Sequence, residues 1–348
     1  MTRLRSIFTL LILCFSHLLY GQVDFSVNVD SSSLSPYYTD YSDHLLLKFG
    51  TVIKSNKLQI VQSNYGKTAK FAPTSTSSLG GGVNYKWFGL ALSLGLPIST
   101  EDIEKYGNTT RLDAQFNIYT KKFGVDVFFQ NYTGYHLENP SDFTTWNRED
   151  FPKLPTMISA AVGIGGYYFF NHKKFSYKAA YVRNTVQNKS AGSLLLGGYY
   201  SLDFAGFEEG SYDRDTIVSF IPKELPREHL DSFDIKAFSS QTYGVSFGYT
   251  YTVVFLKKCF VNLSFVPGFG AKNLKVHNSL GENNSKSGVV SRLTIRGAAG
   301  FESKHFLMGF TFYMRTADIK FGDYSIKPST TNTRIFIAKR FNLKKKKK

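Results

Sequence analysis

From Thr242 to Phe255 the chain alternates without a break. Tyr243, Val245, Phe247, Tyr249, Tyr251, Val253 and Phe255 hold the odd positions; Thr242, Gly244, Ser246, Gly248, Thr250 and Thr252 hold the even ones. Period two puts these sets on opposite faces of a strand, one bulky and apolar, the other small and polar. The run exceeds the usual soluble strand of about 5 or 6 residues. It is long enough for the roughly 9 to 11 residues of a tilted membrane-spanning strand. The pattern recurs at 88–96, 112–118, 125–129, 293–299 and 306–314. Beyond the N-terminus no segment has the roughly 18 continuous apolar residues of a spanning helix, so a membrane reading must be built from strands.

The connections narrow the choice of fold. Short basic turns are expected at 54–57, 86–87, 121–122, 171–174, 257–258 and 303–304, with long polar connections at 64–78, 97–109, 135–156, 206–239, 271–287 and 318–330. Short and long connections that take turns are the mark of an up-and-down barrel, with tight turns at one rim and loops at the other. The expectation is an all-β, antiparallel up-and-down transmembrane β-barrel of about fourteen strands (range 12–16). Val23, Phe25, Val27 and Val29 form its opening strand, and 175–205 is one broken or unusually long strand. Thirty-two Phe, 22 Tyr and 29 Gly suit the aromatic girdles and turns of such a barrel. Trp87, Tyr119, Tyr132, Tyr167 and Tyr168 are expected at the lipid–water interface. Phe247 is expected to face lipid, with Gly248 inward and open to serine.

The ends of the chain suggest export. Arg3 and Arg5, an apolar stretch over 7–19 and Gly21 before Gln22 read as a signal peptide over 1–21, cleaved between Gly21 and Gln22. The barrel then spans 22–341, and 342–348 is a basic tail. Cys259 is the one cysteine left, so internal disulfides are excluded. The formal charge of +16 includes five terminal lysines, and export removes nucleic acid as a partner. Expected partners are outer-membrane lipid and the barrel assembly machinery, which reads an aromatic near the end of the last strand, here Phe341. A small solute or ligand is left open.

The inward face is where function would reside. Arg111, Asp113, Gln115, Asn117, Asp126, Gln130, Arg292, Arg296, Arg315, Arg334 and Arg340 are the expected lumen-facing residues. Such charges form either a mutually satisfied plug or a selectivity lining that favours anions. No catalytic, cofactor or metal residue is expected. HExxH and CxxC are absent, Ser190 to Ser193 lacks the GxSxG frame, and Gly80-Gly81-Gly82 lacks the lysine of a phosphate loop. The expected function is a non-enzymatic outer-membrane barrel, a narrow channel or a plugged structural protein. The alternatives are a lipid-acting barrel enzyme and a soluble secreted β-protein that binds carbohydrate or a partner.

Three blocks carry a family resemblance. They are Tyr85-Lys86-Trp87-Phe88-Gly89-Leu90 with Leu96-Pro97; TRLDAQFNIYT over 110–120 with Gln130 and Gly134-Tyr135; and KFSYKAAYVRNTVQNKSAGSLLLGG over 174–198. Over about 45–341 the chain resembles the Bacteroidota envelope proteins catalogued as domain of unknown function 4421. The resemblance implies an exported, barrel-like protein and transfers no functional residue.

Overall fold

Strands dominate because alternating segments pair with the segments that follow them. A computed structural model describes residues 35–74, 77–86, 88–207, 235–277, 283–303 and 305–343. The strands are β1 (Tyr38–Asp40), β2 (His44–Gln62), β3 (Lys67–Ala72), β4 (Ser77–Tyr85), β5 (Phe88–Gly95), β6 (Thr110–Tyr119), β7 (Phe123–Leu137) and β8 (Lys153–Phe169). After them come β9 (Thr185–Gln187), β10 (Ala191–Phe207), β11 (Ala237–Phe255), β12 (Cys259–His277), β13 (Asn283–Glu302), β14 (Phe306–Phe321) and β15 (Tyr324–Asn342). Two short helices, α1 (Thr100–Tyr106) and α2 (Tyr177–Tyr181), interrupt them.

Among the described residues thirteen strands form one antiparallel sheet, within the expected range. The sheet closes on itself because β15 pairs with β2 along its length, from Tyr324↔Gln62 to Asn342↔His44. Both β3 and β4 pair with one edge of β2, end to end, so thirteen strands fill twelve positions in the wall. The product is an up-and-down β-barrel. The expected opening strand at 23–29, the signal over 1–21 and most of 206–239 lie outside the described residues.

One rim carries tight turns near 86, 120–122, 256–258 and 303–305. At the three-residue β11–β12 turn Leu256 and Lys257 both have positive φ (51° and 60°), a left-handed conformation that tight turns impose. The opposite rim, the loop rim, carries the longer connections, including α1. Three expectations about connections are corrected. Lys54 to Lys57 lie inside β2 rather than in a turn. The expected loop 318–330 is the hairpin of β14 and β15, turning at Gly322 (φ 53°), and most of 271–287 is strand. Residues 175–190 leave the wall altogether: α2 and β9 fold inward, and β9 pairs with β1.

The outward face is apolar across a broad belt. Val245 is 64% exposed, Phe247 55% and Leu263 60%, and Phe49, Leu94, Phe310 and Ile337 are also exposed. Inward stand Thr242, Ser246, Thr250, Asn262 and Ser264, all buried. Glycines at 244 and 270 leave room for the Tyr199 ring: a Cβ on either would lie 2.8 Å from its hydroxyl. Gly248 is equally closed to a side chain. A Cβ there would sit 2.3 Å from the Phe265 carbonyl oxygen, so the expected tolerance of serine is wrong. Towards the loop rim the order reverses, and Leu58, Ile60, Phe71, Leu137, Leu274, Val276, Ile319 and Ile326 fill the interior as an apolar core.

Candidate functional site

Below the apolar core the lumen is crossed by polar side chains from opposite walls. On β6, Asp113 forms an ion pair with Lys54 Nζ of β2 (2.9 Å) and accepts from Gln130 Nε2 (2.9 Å) and the Tyr132 hydroxyl (3.1 Å). Gln115 Oε1 accepts from Arg334 Nη2 (3.0 Å) and Asn332 Nδ2 (3.2 Å) on β15. Gln130 Oε1 accepts from Thr330 (3.2 Å) and, at 3.5 Å, from Arg315 Nη2. Arg315 also lies 3.8 Å from the centre of the Phe128 ring. Arg111 reaches over β5 to the Ser78 hydroxyl (2.8 Å). Asn117 pairs with Gly89 in the ladder.

A second layer lies nearer the turn rim. Arg296 of β13 donates to Asp126 of β7 and to the Tyr119 hydroxyl of β6 (2.8 Å to the latter). Its guanidinium is ringed by Tyr313 at 5.0 Å, Tyr177 and Tyr181 at 5.8 Å and Tyr167 at 5.9 Å. Tyr119 donates to Asp126. Tyr119, Tyr132 and Tyr167 therefore point inward, and their expected place at the lipid interface is corrected. Each meets a charged partner inside the lumen, Asp126, Asp113 and Arg296 respectively; Trp87 lies outside the described residues. Arg292 stacks on Tyr199, 4.5 Å from the ring centre.

The third layer is the infolded segment itself. Ser176 caps α2 by accepting from Ala179 N (3.3 Å). Tyr177 stacks on Phe169 of the wall (4.7 Å) and meets Tyr119 edge-on (5.4 Å). The Tyr181 hydroxyl donates to Asn262 Oδ1 of β12 (2.5 Å). At the end of α2, Arg183 adopts φ 73°, a left-handed conformation that a non-glycine residue holds only when its surroundings impose it. Those surroundings are Glu302 of β13, which accepts from both Arg183 and Arg340 of β15. Arg340 also donates to the Arg183 carbonyl (2.6 Å), and the Arg183 guanidinium lies 3.9 Å from the Phe260 ring centre. Burial draws the Arg183 pKa down to about 10, opposed by Glu302, so the group stays charged at neutral pH.

Sequence reasoning named Arg340 but neither of its partners. Glu302 ends β13, beyond the stretch whose alternation is legible at 293–299, and Arg183 lies in a stretch read as wall. The one signal in the sequence is the block at 174–198, one of the three that carry the family resemblance, which covers the whole infolded segment. Among the described residues no cluster of His, Cys, Asp and Glu could hold a metal.

A profile of one family matches residues 29–341. The chain belongs to the family described as Domain of unknown function (DUF4421). No curated protein matches it. Among solved structures, it is similar to the outer membrane protease OmpT from Escherichia coli at 8% identity, covering 87% of this chain and 98% of that one, with a TM-score of 0.36. It is also similar to the Pseudomonas putida toluene transporter TodX (8%, 86% and 90%, TM-score 0.27) and to Ail, the attachment invasion locus protein of Yersinia pestis (11%, 83% and 97%, TM-score 0.24). Similarity at this level transfers nothing to this DUF4421 chain.

Proposed function

We propose that this DUF4421 protein is an exported outer-membrane barrel with a sealed lumen, acting as a structural or anchoring element rather than as a channel. The observation that carries the reading is the stack that fills the lumen: an apolar core, two layers of cross-wall polar contacts and the infolded α2. Interior ion pairs of this kind are costly to break singly and have no reason to part for a solute. The outward belt supports the membrane part of the reading. Exposing Val245, Phe247, Leu263 and Phe269 to water would give a soluble protein a far larger apolar patch than such proteins carry, whereas lipid accepts it. In this reading Arg111, Asp113, Gln115, Asn117, Asp126, Gln130, Arg292, Arg296, Arg315, Arg334 and Arg340 are structural fillers of the lumen. Residues 1–21 direct export and are then removed, and the tight turns face the periplasm.

Conductance across a planar bilayer tests the reading. Protein whose insertion is confirmed by heat-dependent gel migration is expected to leave the bilayer sealed. Discrete current steps with anion preference would overturn the sealed lumen and make the arginines a selectivity lining.

A further inference from the structure

The cross-wall layer does not balance its charges. Asp113 is taken by Lys54, and Asp126 by Arg296. Arg292 and Arg315 form no ion pair among the described residues, and Nη1 of each is buried without a hydrogen-bond partner. Arg315 is 9% exposed. Its only hydrogen bond among the described residues is the 3.5 Å contact with Gln130, and the Phe128 ring lies 3.8 Å from its guanidinium. An uncompensated guanidinium so placed is strongly disfavoured unless something of opposite charge accompanies it.

Both arginines line one interior cavity of about 30 Å³, together with Ser201, Thr242, Thr330 and Asp203. A site needs about 10–15 Å³ to hold one water, so this space takes roughly two waters or one small ion. Asp203 accepts from the Ser201 hydroxyl (3.0 Å) and offsets at most one of the two positive charges. Water would satisfy the free N–H donors but not the remaining charge. Hydroxyl and guanidinium donors around a space of this size match a compact monovalent anion.

We propose that the cavity between Arg292 and Arg315 is a binding site for a chloride-sized inorganic anion. The site holds whether or not the barrel conducts, because it depends on the charge balance of the wall and not on a path through it. Anion binding stabilises the folded barrel by mass action, since the unfolded chain has no such cavity.

The test uses the full-length protein folded in detergent. Crystals soaked in sodium bromide are expected to show an anomalous peak in the cavity, within hydrogen-bond distance of Arg315 Nη1. The temperature at which the barrel loses its folded gel migration is expected to rise when gluconate is replaced by chloride at constant ionic strength. Arg315→Met and Arg292→Met should each abolish the peak and that shift. An ordered water in place of bromide, with identical midpoints in the two salts, would overturn the proposal. Should the variants fail to fold, the two wild-type measurements decide by themselves.

Discussion

The same strands carry opposite polarity in their two halves. In the lower half of β12, Val261, Leu263 and Phe265 face out while Asn262 and Ser264 are buried. In its upper half Leu274 and Val276 are buried and Asn273 and Lys275 face out. β2 behaves alike: Leu47, Phe49 and Ile53 point outward below, whereas above Leu58 and Ile60 are buried and Lys57 is exposed. Backbone pairing runs through the change without interruption, with β12 and β13 in register from Cys259↔Phe301 to His277↔Asn283. Geometry thus assigns each residue a face, and the medium outside decides which face must be apolar. Where lipid surrounds the wall the apolar set is outside; where water does, it moves inside.

Substitutions can break or sharpen that contrast. The largest effect, loss of assembly altogether, is expected from Phe247→Arg in the belt, which puts a guanidinium into the lipid near the bilayer midplane. Arginine at Asn273, outward but above the belt, should stay within about 0.5 kcal/mol. Folded yield in lipid vesicles measures both, and equal yields would erase the distinction between the halves.

Next comes Glu302→Ala, which strands two buried guanidiniums and should destabilise by roughly 3–5 kcal/mol. Denaturant titration of the folded barrel reads it, and an unchanged midpoint would mean that α2 is not tied to the wall. Leu274→Ala, which empties part of the upper core, is expected to lower stability by roughly 2–5 kcal/mol. Leu263→Ala should lose less in the same titration, because lipid chains fill the vacated space. The reverse order would place the water line elsewhere.

The smallest effect concerns a pair standing in water. Two hydrogen bonds from Arg148 (2.8 and 2.7 Å) hold the Asp150 carboxyl below its ordinary range. A depressed carboxyl adds stability that is complete above the unfolded carboxylate pKa and fades as pH falls through the lowered value. Asp150→Asn should therefore remove a slight loss of stability on acidification and leave neutral pH nearly unaffected. A midpoint that drops equally with acid in both proteins would dismiss the pair.

The contrast also explains what could be read in advance. Wherever lipid lies outside, the apolar set holds one phase, and 243–255, 88–96 and 306–314 declare themselves as strands. At 271–287 and 318–330 the apolar phase crosses to the other face, and a pattern that changes phase looks like a pattern that ends. Lys54 to Lys57 sit at that crossing on β2, which gave them the polarity of a turn. The infolded 175–190 was hidden for another reason. Tyr177, Tyr181 and Arg183 are determined by partners on β6, β12, β13 and β15, distant in sequence, and no local period records such contacts. The lumenal arginines were visible as a face, but their pairing with Gln115, Asp126 and Glu302 depends on which walls stand opposite.

Arg340 belongs to the strand that closes the ring against β2, and it grips both Glu302 and the Arg183 carbonyl. The last seam and the stopper therefore share a fastening. Whatever opens the β15–β2 seam at Arg340 therefore also loosens α2, and whatever pulls α2 away strips the seam of a partner: wall closure and lumen filling are one cooperative unit rather than two.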